Sequence, residues 1–503
     1  MSLAVVYSRA GVGIDAPLVT VEVHVANGLP GLSIVGLPEA AVKESKDRVR
    51  GAIINSNFEF PAKKIIINLA PADLPKEGGR FDLPIAIGIL LASGQLEANH
   101  IENYEFVGEL ALGGDLRVVK GVIPIAMQTR GAARKLVLPV GNESEAGMLR
   151  DVTIIPAAHL VELCQHLNGS KEISAFESTP FEPSRHFLDM SDIKGQSHAK
   201  RALEICAGGG HSLLMVGPPG TGKTMLASRL PGILPNMSEL ESAESAAIQS
   251  ISAQGFDYAD WGCRTFRAPH HTASSVALVG GGGNPKPGEI SLAHHGVLFL
   301  DELPEFGRQV LEVLREPLES GYITISRAAR QAEFPAKFQL IAAMNPCPCG
   351  YHGDSSGKCH CSEEKVQRYR NKISGPLLDR IDMHIEVPRV AKLAQLSKVV
   401  DKNAEVSETI QQRVRQTRHI QNQRIGKCNA QMSVKEIALY CELGEQESEF
   451  LSHSIEKLNL SSRAYHRILK VARTIADMQG KDRIELPHVA EAIGFRRFDR
   501  VKA

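Results

Sequence analysis

The chain has 503 residues, of which 43% are hydrophobic and 23% charged, a composition typical of a globular protein with roughly three domains of about 150 residues. Lys plus Arg and Asp plus Glu balance at 57 each, which excludes a polycation that binds nucleic acid over its whole surface. No run approaches ~18 apolar residues, and the first residues lack the pattern of a signal peptide. We therefore expect a cytoplasmic protein with no membrane partner.

The first part of the chain, residues 1–167, alternates short β patterns with helical patterns and predicts an α/β domain. The predicted strands are Leu18–Val25, Lys64–Leu69 and Lys135–Pro139, and the predicted helices are Ala40–Ser56 and Asp82–Ser93. Residues 168–190 are rich in Ser, Pro, Glu and Gly without a sustained period, which predicts a linker.

A second α/β domain is predicted over residues 191–391, where three apolar runs are each followed by polar residues. These runs are Ser212–Val216, Val297–Leu300 and Phe338–Ala343. Chemistry at the carboxyl ends of strands is typical of a parallel nucleotide-binding sheet. The last part, 392–503, is predicted to be helical, with helices over Val406–Ile425 and Ser461–Met478.

The strongest motif is GPPGTGKT, which follows the first apolar run and precedes a helical pattern. This context is the one that a phosphate-binding loop requires, since glycines let backbone N–H groups surround phosphate oxygens. We expect Lys223 to reach the β- and γ-phosphates of ATP and Thr224 to ligate Mg²⁺. The predicted ATP-binding residues of this loop are Gly217, Pro218, Pro219, Gly220, Thr221, Gly222, Lys223 and Thr224.

Two further strands end in polar residues that suit ATP hydrolysis. The run VLFL is followed by Asp301, expected to hold Mg²⁺, and Glu302, expected to polarise the attacking water as general base. The run LIAAM is followed by Asn345, an amide that can orient that water.

The order DIKGQ, GPPGTGKT, VLFLDE, AAMNP, LLDRID and SSRAYHRILKVARTIAD resembles AAA+ ATPases of the magnesium-chelatase-like clade, and most closely the ComM/YifB family, over essentially the whole chain. The resemblance implies a P-loop sheet with a C-terminal helical lid, ring hexamers with ATP between subunits, and a DNA helicase that drives branch migration in natural transformation. It also implies that Asn345 is sensor 1, Arg380 the arginine finger and Arg463 sensor 2, with Arg467 as a competitor, and that Ile193 contacts ATP.

The clade carries two insertions that project into the ring pore, and the resemblance places them at Arg264–His295 and Tyr322–Lys337. A pore that follows single-stranded or branched DNA needs a few cations per subunit, multiplied by ring symmetry. The candidate cations are Lys286, Arg327, Arg330 and Lys337. A solvated hairpin is the alternative. The histidine pairs at 270–271 and 294–295 are assigned structural or pore roles.

Four of nine cysteines fall within 15 residues, as Cys347, Cys349, Cys359 and Cys361. Two C-x-C pairs joined by a Gly-containing loop can place four thiolates around Zn²⁺, with free cysteines as the main alternative.

The segments NLAPADLPKEGGRFDLPIAIGIL and FVGELALGGDLRVVKGVIPIA resemble the Lon-protease-like fold, an α/β domain of ribosomal S5 domain 2 type. The positions of the protease's Ser and Lys hold Arg80 and Ile123, which can act neither as nucleophile nor as base. Two other functions remain open beside the helicase: the motor subunit of a magnesium chelatase, and a Lon-like unfoldase or protease.

Overall fold

A computed structural model describes residues 3–36, 40–177, 187–282, 285–327, 330–354, 357–389, 404–458 and 460–496, with only the backbone described at 40, 41, 43, 327 and 330. The chain divides into two compact units. Unit 1 is residues 1–184 with 238–262, and unit 2 is residues 185–237 with 263–503. The segment 238–262 thus belongs to the N-terminal unit, although the phosphate-binding loop precedes it in the chain.

The strands are, in chain order, β1 Leu3–Arg9, β2 Leu18–Ala26, β3 Gly31–Val35, β4 Lys64–Ala70, β5 Tyr104–Phe106, β6 Glu109–Leu110, β7 Leu116–Arg117, β8 Lys135–Pro139, β9 Ile154–Ala157, β10 Leu213–Val216, β11 Phe266–Arg267, β12 Gly280–Gly281, β13 Lys286–Pro287, β14 Val297–Leu300, β15 Tyr322–Arg327, β16 Arg330–Pro335, β17 Gln339–Met344 and β18 Met383–Glu386.

The helices are α1 Ala40–Asn55, α2 Asp82–Ala92, α3 Val122–Gly131, α4 Glu143–Ala146, α5 Leu160–Leu167, α6 Ser197–Gly209, α7 Lys223–Ala227, α8 Leu230–Ile233, α9 Glu239–Ser250, α10 Ser275–Val279, α11 Glu289–Leu292, α12 Arg308–Glu312, α13 Pro317–Ser320, α14 Glu363–Arg370, α15 Gly375–Leu378, α16 Ser407–Ile425, α17 Val434–Tyr440, α18 Glu445–Leu458, α19 Ser462–Met478 and α20 Leu486–Gly494.

Unit 1 contains a mixed sheet in the order β3-β4-β2-β1-β5-β8-β9. Alternate residues of β2 and β4 are fully buried, as the two-residue period of a strand with one covered face requires. Helix α2 is buried along almost its whole length within this core. A second cluster of buried side chains joins α3, β8 and α9, and its members include Ile123, Leu138, Ala243, Ala246 and Ala247.

Unit 2 contains a parallel sheet in the order β11-β14-β17-β10-β18. Its central strands β10, β14 and β17 are buried at every position, as expected for a parallel sheet covered on both faces. The helices from α16 onward form the C-terminal region, and α19 packs its apolar side against α6 and α20 in the same core.

The predicted fold class is confirmed: a parallel α/β core is followed by a helical C-terminal region and preceded by a separate α/β unit. Each predicted strand and helix is present within one or two residues of its predicted ends. Parts of the predicted linker and of the predicted start of the lid, at 178–186 and 390–403, lie outside the described residues. Among the described residues, no helix combines the length and apolarity needed to cross a bilayer.

Candidate active site

Three neighbouring parallel strands bring the predicted catalytic side chains to one edge of the sheet. The phosphate-binding loop follows β10, Asp301 and Glu302 follow β14, and Asn345 follows β17. Because these strands run in the same direction, their carboxyl ends lie side by side, and this edge is where parallel sheets bind ligands.

The loop has the backbone geometry of a phosphate cradle. Gly220 and Gly222 adopt φ values of 76° and 88°, which residues with a Cβ rarely adopt. A Cβ on Gly217 would lie 2.2 Å from the carbonyl oxygen of Val387, so the close approach of the backbone there requires glycine. Lys223 Nζ donates to the carbonyl oxygens of Gly217 and Pro218 at 2.7 and 3.0 Å. These are groups that a phosphate would replace as partners of the ammonium.

Lys223 also connects two of the strands, since its Nζ donates to Asn345 Oδ1 at 3.2 Å. Burial lowers the pKa of Lys223, while Asp301 and Glu302 oppose that shift. A buried ammonium with a depressed pKa gains the most from a phosphate dianion placed beside it.

The positions expected to hold Mg²⁺ are in contact. Thr224 Oγ1 donates to Asp301 Oδ2 at 2.7 Å. A hydroxyl and a carboxylate at an open edge are oxygen ligands of the type that Mg²⁺ takes beside phosphate oxygens. These residues therefore fit the cation chemically.

Glu302 is held in a left-handed backbone conformation, with φ 52° and ψ 45°, which residues other than glycine adopt only rarely. Its carboxylate is half exposed and lies 3.1 Å from Nδ1 of His271. His271 belongs to the first insertion. The sequence did not predict it as a neighbour of Glu302, the predicted general base, because nothing in the local sequence links the two positions. The pair therefore connects the insertion to the predicted hydrolytic site.

Arg380 lies at the opposite edge of the sheet from the phosphate-binding loop of its own chain. It precedes β18, whose first residue, Met383, pairs with Leu213 at the start of β10. The four residues of β10 alone span about 13 Å. Arg380 therefore lies away from the phosphate site of its own chain. This position is the one expected of a residue that acts on ATP in a neighbouring subunit.

The guanidinium of Arg380 is covered by its own chain, with 7% of the side chain exposed. Nη1 donates to the carbonyl oxygen of Pro376 at 2.7 Å, and Nη2 lies 2.6 Å from Glu319 Oε1. The function of Arg380 in a neighbouring site stays a prediction.

Arg463 and Arg467, the two candidates for sensor 2, have different environments. Arg463 is exposed in the first turn of α19. Arg467 donates from Nε to the carbonyl oxygen of Asp379 at 2.7 Å and forms an ion pair with Asp382. Because Arg467 has a structural partner, Arg463 remains the better candidate for a nucleotide contact, which stays a prediction.

Asp382 anchors the start of β18. Its Oδ2 accepts from the backbone N–H of Ser212 at 2.9 Å, and Nδ1 of His211 lies 3.5 Å away. Burial alone would raise the pKa of Asp382, but Arg467, His211 and the Ser212 N–H together hold it well below its usual range. The buried carboxylate thus ties α19 of the helical region to the amino ends of β10 and β18.

Ile193 is buried in the core of unit 2. The segment that contains it is connected to the phosphate-binding loop indirectly. Gln196 donates from its side chain to the carbonyl oxygen of Pro388 at 2.9 Å, and Pro388 follows Val387, the residue against Gly217. An ATP contact of Ile193 stays a prediction.

The cysteine cluster is adjacent to the phosphate-binding loop. Cys347 comes two residues after Asn345, and a Cβ on Gly350, at the end of the same turn, would lie 2.7 Å from Cδ of Pro219. The sulfur of Cys347 lies 3.3 Å from that of Cys349 and 3.8 Å from that of Cys359. All four sulfurs lie within 4.8 Å of one another.

These separations fit a tetrahedral Zn²⁺, because four sulfurs about 2.3 Å from one ion are about 3.8 Å apart. The N–H of Tyr351 and neighbouring thiols lower the pKa of Cys349 to about 6. An N–H of Cys361 favours the thiolate of Cys359, but desolvation and the nearby thiols raise its pKa to about 11. Four thiolates can share this space only with a cation to offset their repulsion.

The two insertions are joined by one hydrogen bond from backbone to side chain and one between backbone groups. The N–H of Lys337 donates to Nδ1 of the buried His294 at 3.0 Å, and the N–H of His295 donates to the carbonyl oxygen of Lys337 at 2.7 Å. Lys286 is exposed on β13, and the Lys337 ammonium lies 5.8 Å from the ring centre of Tyr322. The side chains of the other two candidate cations, Arg327 and Arg330, lie outside the described part of the structure.

In unit 1, the positions of the protease residues carry no proteolytic chemistry. Ile123 is fully buried in α3. Arg80 is packed against Gly11 and donates from Nη2 to the carbonyl oxygen of Lys120 at 3.3 Å. Burial lowers the pKa of Arg80.

Comparison with known proteins gives consistent results over the whole chain. Three family models match: "Magnesium chelatase, subunit ChlI" over residues 189–395, "Subunit ChlI of Mg-chelatase" over 21–142, and "Magnesium chelatase, subunit ChlI C-terminal" over 404–496. The chain is 53% identical to the competence protein ComM of Haemophilus influenzae, covering 100% of this chain and 99% of that protein. It is 50% identical to YifB of Escherichia coli, which is uncharacterised, with 100% and 98% covered. The magnesium-chelatase subunit ChlI of Cyanophora paradoxa is 24% identical over 41% of this chain and 53% of its own.

Proposed function

The chain belongs to the ComM/YifB family of magnesium-chelatase-like AAA+ ATPases, and from this membership we propose that it is a ring-forming DNA motor that uses ATP hydrolysis to drive branch migration when incoming DNA recombines in natural transformation. The ring is a homohexamer, its substrates are single-stranded and branched DNA, and it works in the cytoplasm with ATP, Mg²⁺ and structural Zn²⁺. The similarity to a competence protein supports the biological setting.

One observation carries the motor function. The insertion that bears Lys286 also bears His271, whose ring contacts Glu302 at 3.1 Å. The second insertion leads directly into β17, which ends at Asn345. Both candidate DNA-contacting segments therefore connect to side chains predicted to act in hydrolysis. A movement of either segment would change the position of these side chains.

The chemistry follows from the same residues. Lys223 and the loop N–H groups bind the phosphates of ATP. Thr224 and Asp301 would hold Mg²⁺, which would supply positive charge beside the transferred phosphoryl group. Glu302 takes a proton from the attacking water, and Asn345 orients that water. Arg380 of a neighbouring subunit completes the site.

A chelatase motor is the second candidate, because all three family models carry that name. A Lon-like protease is disfavoured by the environments of Arg80 and Ile123. The decisive measurement is ATP hydrolysis with and without forked DNA, followed by the movement of three- and four-stranded junctions with ATP and with a nonhydrolysable analogue. Stimulation by a porphyrin-binding partner, with no response to DNA, would favour the chelatase.

A further inference from the structure

The amino edge of the parallel sheet carries an ion pair that connects Arg380 to the base of the β15–β16 hairpin. Glu319, whose carboxylate lies 2.6 Å from Arg380 Nη2, belongs to the short helix α13. The hairpin begins three residues later, at Tyr322. The ion pair therefore joins the segment before β18 to the segment before the second insertion.

The two partners differ sharply in exposure. The Arg380 side chain is 7% exposed, whereas the Glu319 side chain is 55% exposed. This burial is a property of the single chain, so no neighbouring subunit is needed to cover the guanidinium. Arg380 Nε is also buried without a hydrogen-bond partner among the described residues, so the guanidinium is incompletely satisfied where it lies.

A guanidinium covered in this way does not reach a phosphate on another subunit unless it leaves Glu319. The exposed carboxylate of Glu319 keeps most of its hydration and is solvated again at little cost when the pair opens. We propose that Glu319 is a latch, which holds Arg380 away from the neighbouring ATP site until the hairpin moves. This proposal rests on the proposed function, in which Arg380 serves the neighbouring site and the hairpin contacts DNA.

Hydrogen bonds connect the end of α13, which carries Glu319, to both sides of the base of the hairpin. Ser320 Oγ donates to the carbonyl oxygen of Tyr322 and accepts from its N–H, at 3.0 and 3.1 Å. The carbonyl oxygen of Gly321 accepts from the N–H of Ala336 on the other side of the hairpin, at 2.7 Å. Displacement of the hairpin base therefore pulls on α13 and on the carboxylate of Glu319.

The test is the ATPase rate of the full-length protein, measured with and without forked DNA, for the wild type and for Glu319→Gln. The amide keeps the size of the side chain and removes its charge. We expect the rate without DNA to rise about fivefold, because the population of released Arg380 increases, and the stimulation by DNA to shrink toward one. Glu316→Gln is the matched control, since Glu316 is an exposed carboxylate at the start of the same short helix. It should leave both rates unchanged.

Three results would reject either the latch or the proposed function. If Glu319→Gln lowers the rate without DNA as Arg380→Ala does, Glu319 positions the arginine productively and the latch is wrong. If wild type and Glu319→Gln respond equally to DNA from equal starting rates, the latch is also wrong. If the wild type shows no response to DNA at all, the proposed function itself fails. Unchanged melting temperature and ring size of Glu319→Gln separate these outcomes from misfolding, and the double variant with Arg380→Ala should show the rate of Arg380→Ala alone.

Discussion

At the scale of single residues, the site depends on a few side chains whose positions are set by strand ends. Glu302 differs from its neighbours because its backbone is left-handed and its carboxylate points toward the first insertion. This orientation separates the residue expected to activate water from Asp301, which contacts Thr224. Binding and turnover are therefore separable by substitution.

Glu302→Gln should bind ATP with nearly normal affinity but hydrolyse it roughly 10²-fold more slowly or worse, because the amide cannot accept the proton from water. Binding of a fluorescent ATP analogue and steady-state hydrolysis measure the two effects. Glu305→Gln, an exposed neighbour, is the control. Normal hydrolysis by Glu302→Gln would show that another group is the base.

Glu145 makes the stability of unit 1 depend on pH. Burial raises its pKa from 4.5 to about 7. The folded state therefore retains a proton that the unfolded state releases, so stability present below about pH 4.5 is lost as the pH rises to about 7, by up to ~3 kcal/mol. Glu145→Gln should remove this loss.

The fluorescence of Trp261, the only tryptophan, reports this change because its ring packs in the same cluster as Ala146. Unfolding in urea at pH 5 and pH 8 gives the comparison, with the exposed Glu97→Gln as control. Equal pH dependence in wild type and Glu145→Gln would rule out this carboxyl group.

At the scale of elements, the buried carboxylate of Asp382 ties the helix α19 to the sheet. The pKa of Asp382 is lower in the folded protein than in the unfolded chain. The ionised carboxylate therefore stabilises the fold above the unfolded-state pKa of about 4, and this stabilisation is lost as the pH falls below that value. Asp382→Asn should destabilise unit 2 by about 3–5 kcal/mol at neutral pH, since it leaves Arg467 with a neutral partner. Calorimetric melting tests this, with the exposed Asp482→Asn as control, and equal melting temperatures would contradict it.

The turn that carries Cys347 and Cys349 is the second element whose disruption should change nucleotide binding. We expect about one Zn²⁺ per chain, and less than half in Cys349→Ser, because three thiolates hold the ion less tightly. Nucleotide affinity should fall with it, since the turn that contains Gly350 packs on Pro219. Elemental analysis, thiol titration and nucleotide binding measure these effects, with Cys428→Ser as control. A metal-free wild type with four titrating thiols would remove the site.

The sequence predicted strands and helices closely because buried parallel strands are continuous apolar runs and α19 is amphipathic. It did not predict that α9 packs in unit 1. An alanine-rich helix face such as Ala243–Ala247 fits many partners, and periodicity does not identify which one. The contact of His271 with Glu302 could not be predicted from the sequence either, because it joins an insertion to the end of a strand that follows much later in the chain.

At the scale of the whole molecule, Arg380 and the phosphate-binding loop lie at opposite edges of one sheet. In the proposed ring, each subunit would therefore contribute to two different ATP sites, its own through the loop and a neighbour's through Arg380. Arg380→Ala and Glu302→Gln should each be nearly inactive alone. In an equal mixture that exchanges subunits, about a quarter of the sites combine an intact Glu302 with an intact Arg380 from the neighbour, so hydrolysis should partly return. An arginine acting in its own subunit would give no recovery.

The interleaved course of the chain also determines when each unit can complete its folding during synthesis. Unit 1 includes residues 238–262, so its cluster around Ile123 lacks Ala243, Ala247 and Trp261 until the ribosome has passed residue 262. At about 5–20 residues per second, that is roughly 4–16 s after residue 184 is added. By then the phosphate-binding loop has already been synthesised. The nascent N-terminal unit therefore completes its folding while the ATPase unit is still growing, and a truncation that begins at unit 2 would leave α9 without its core.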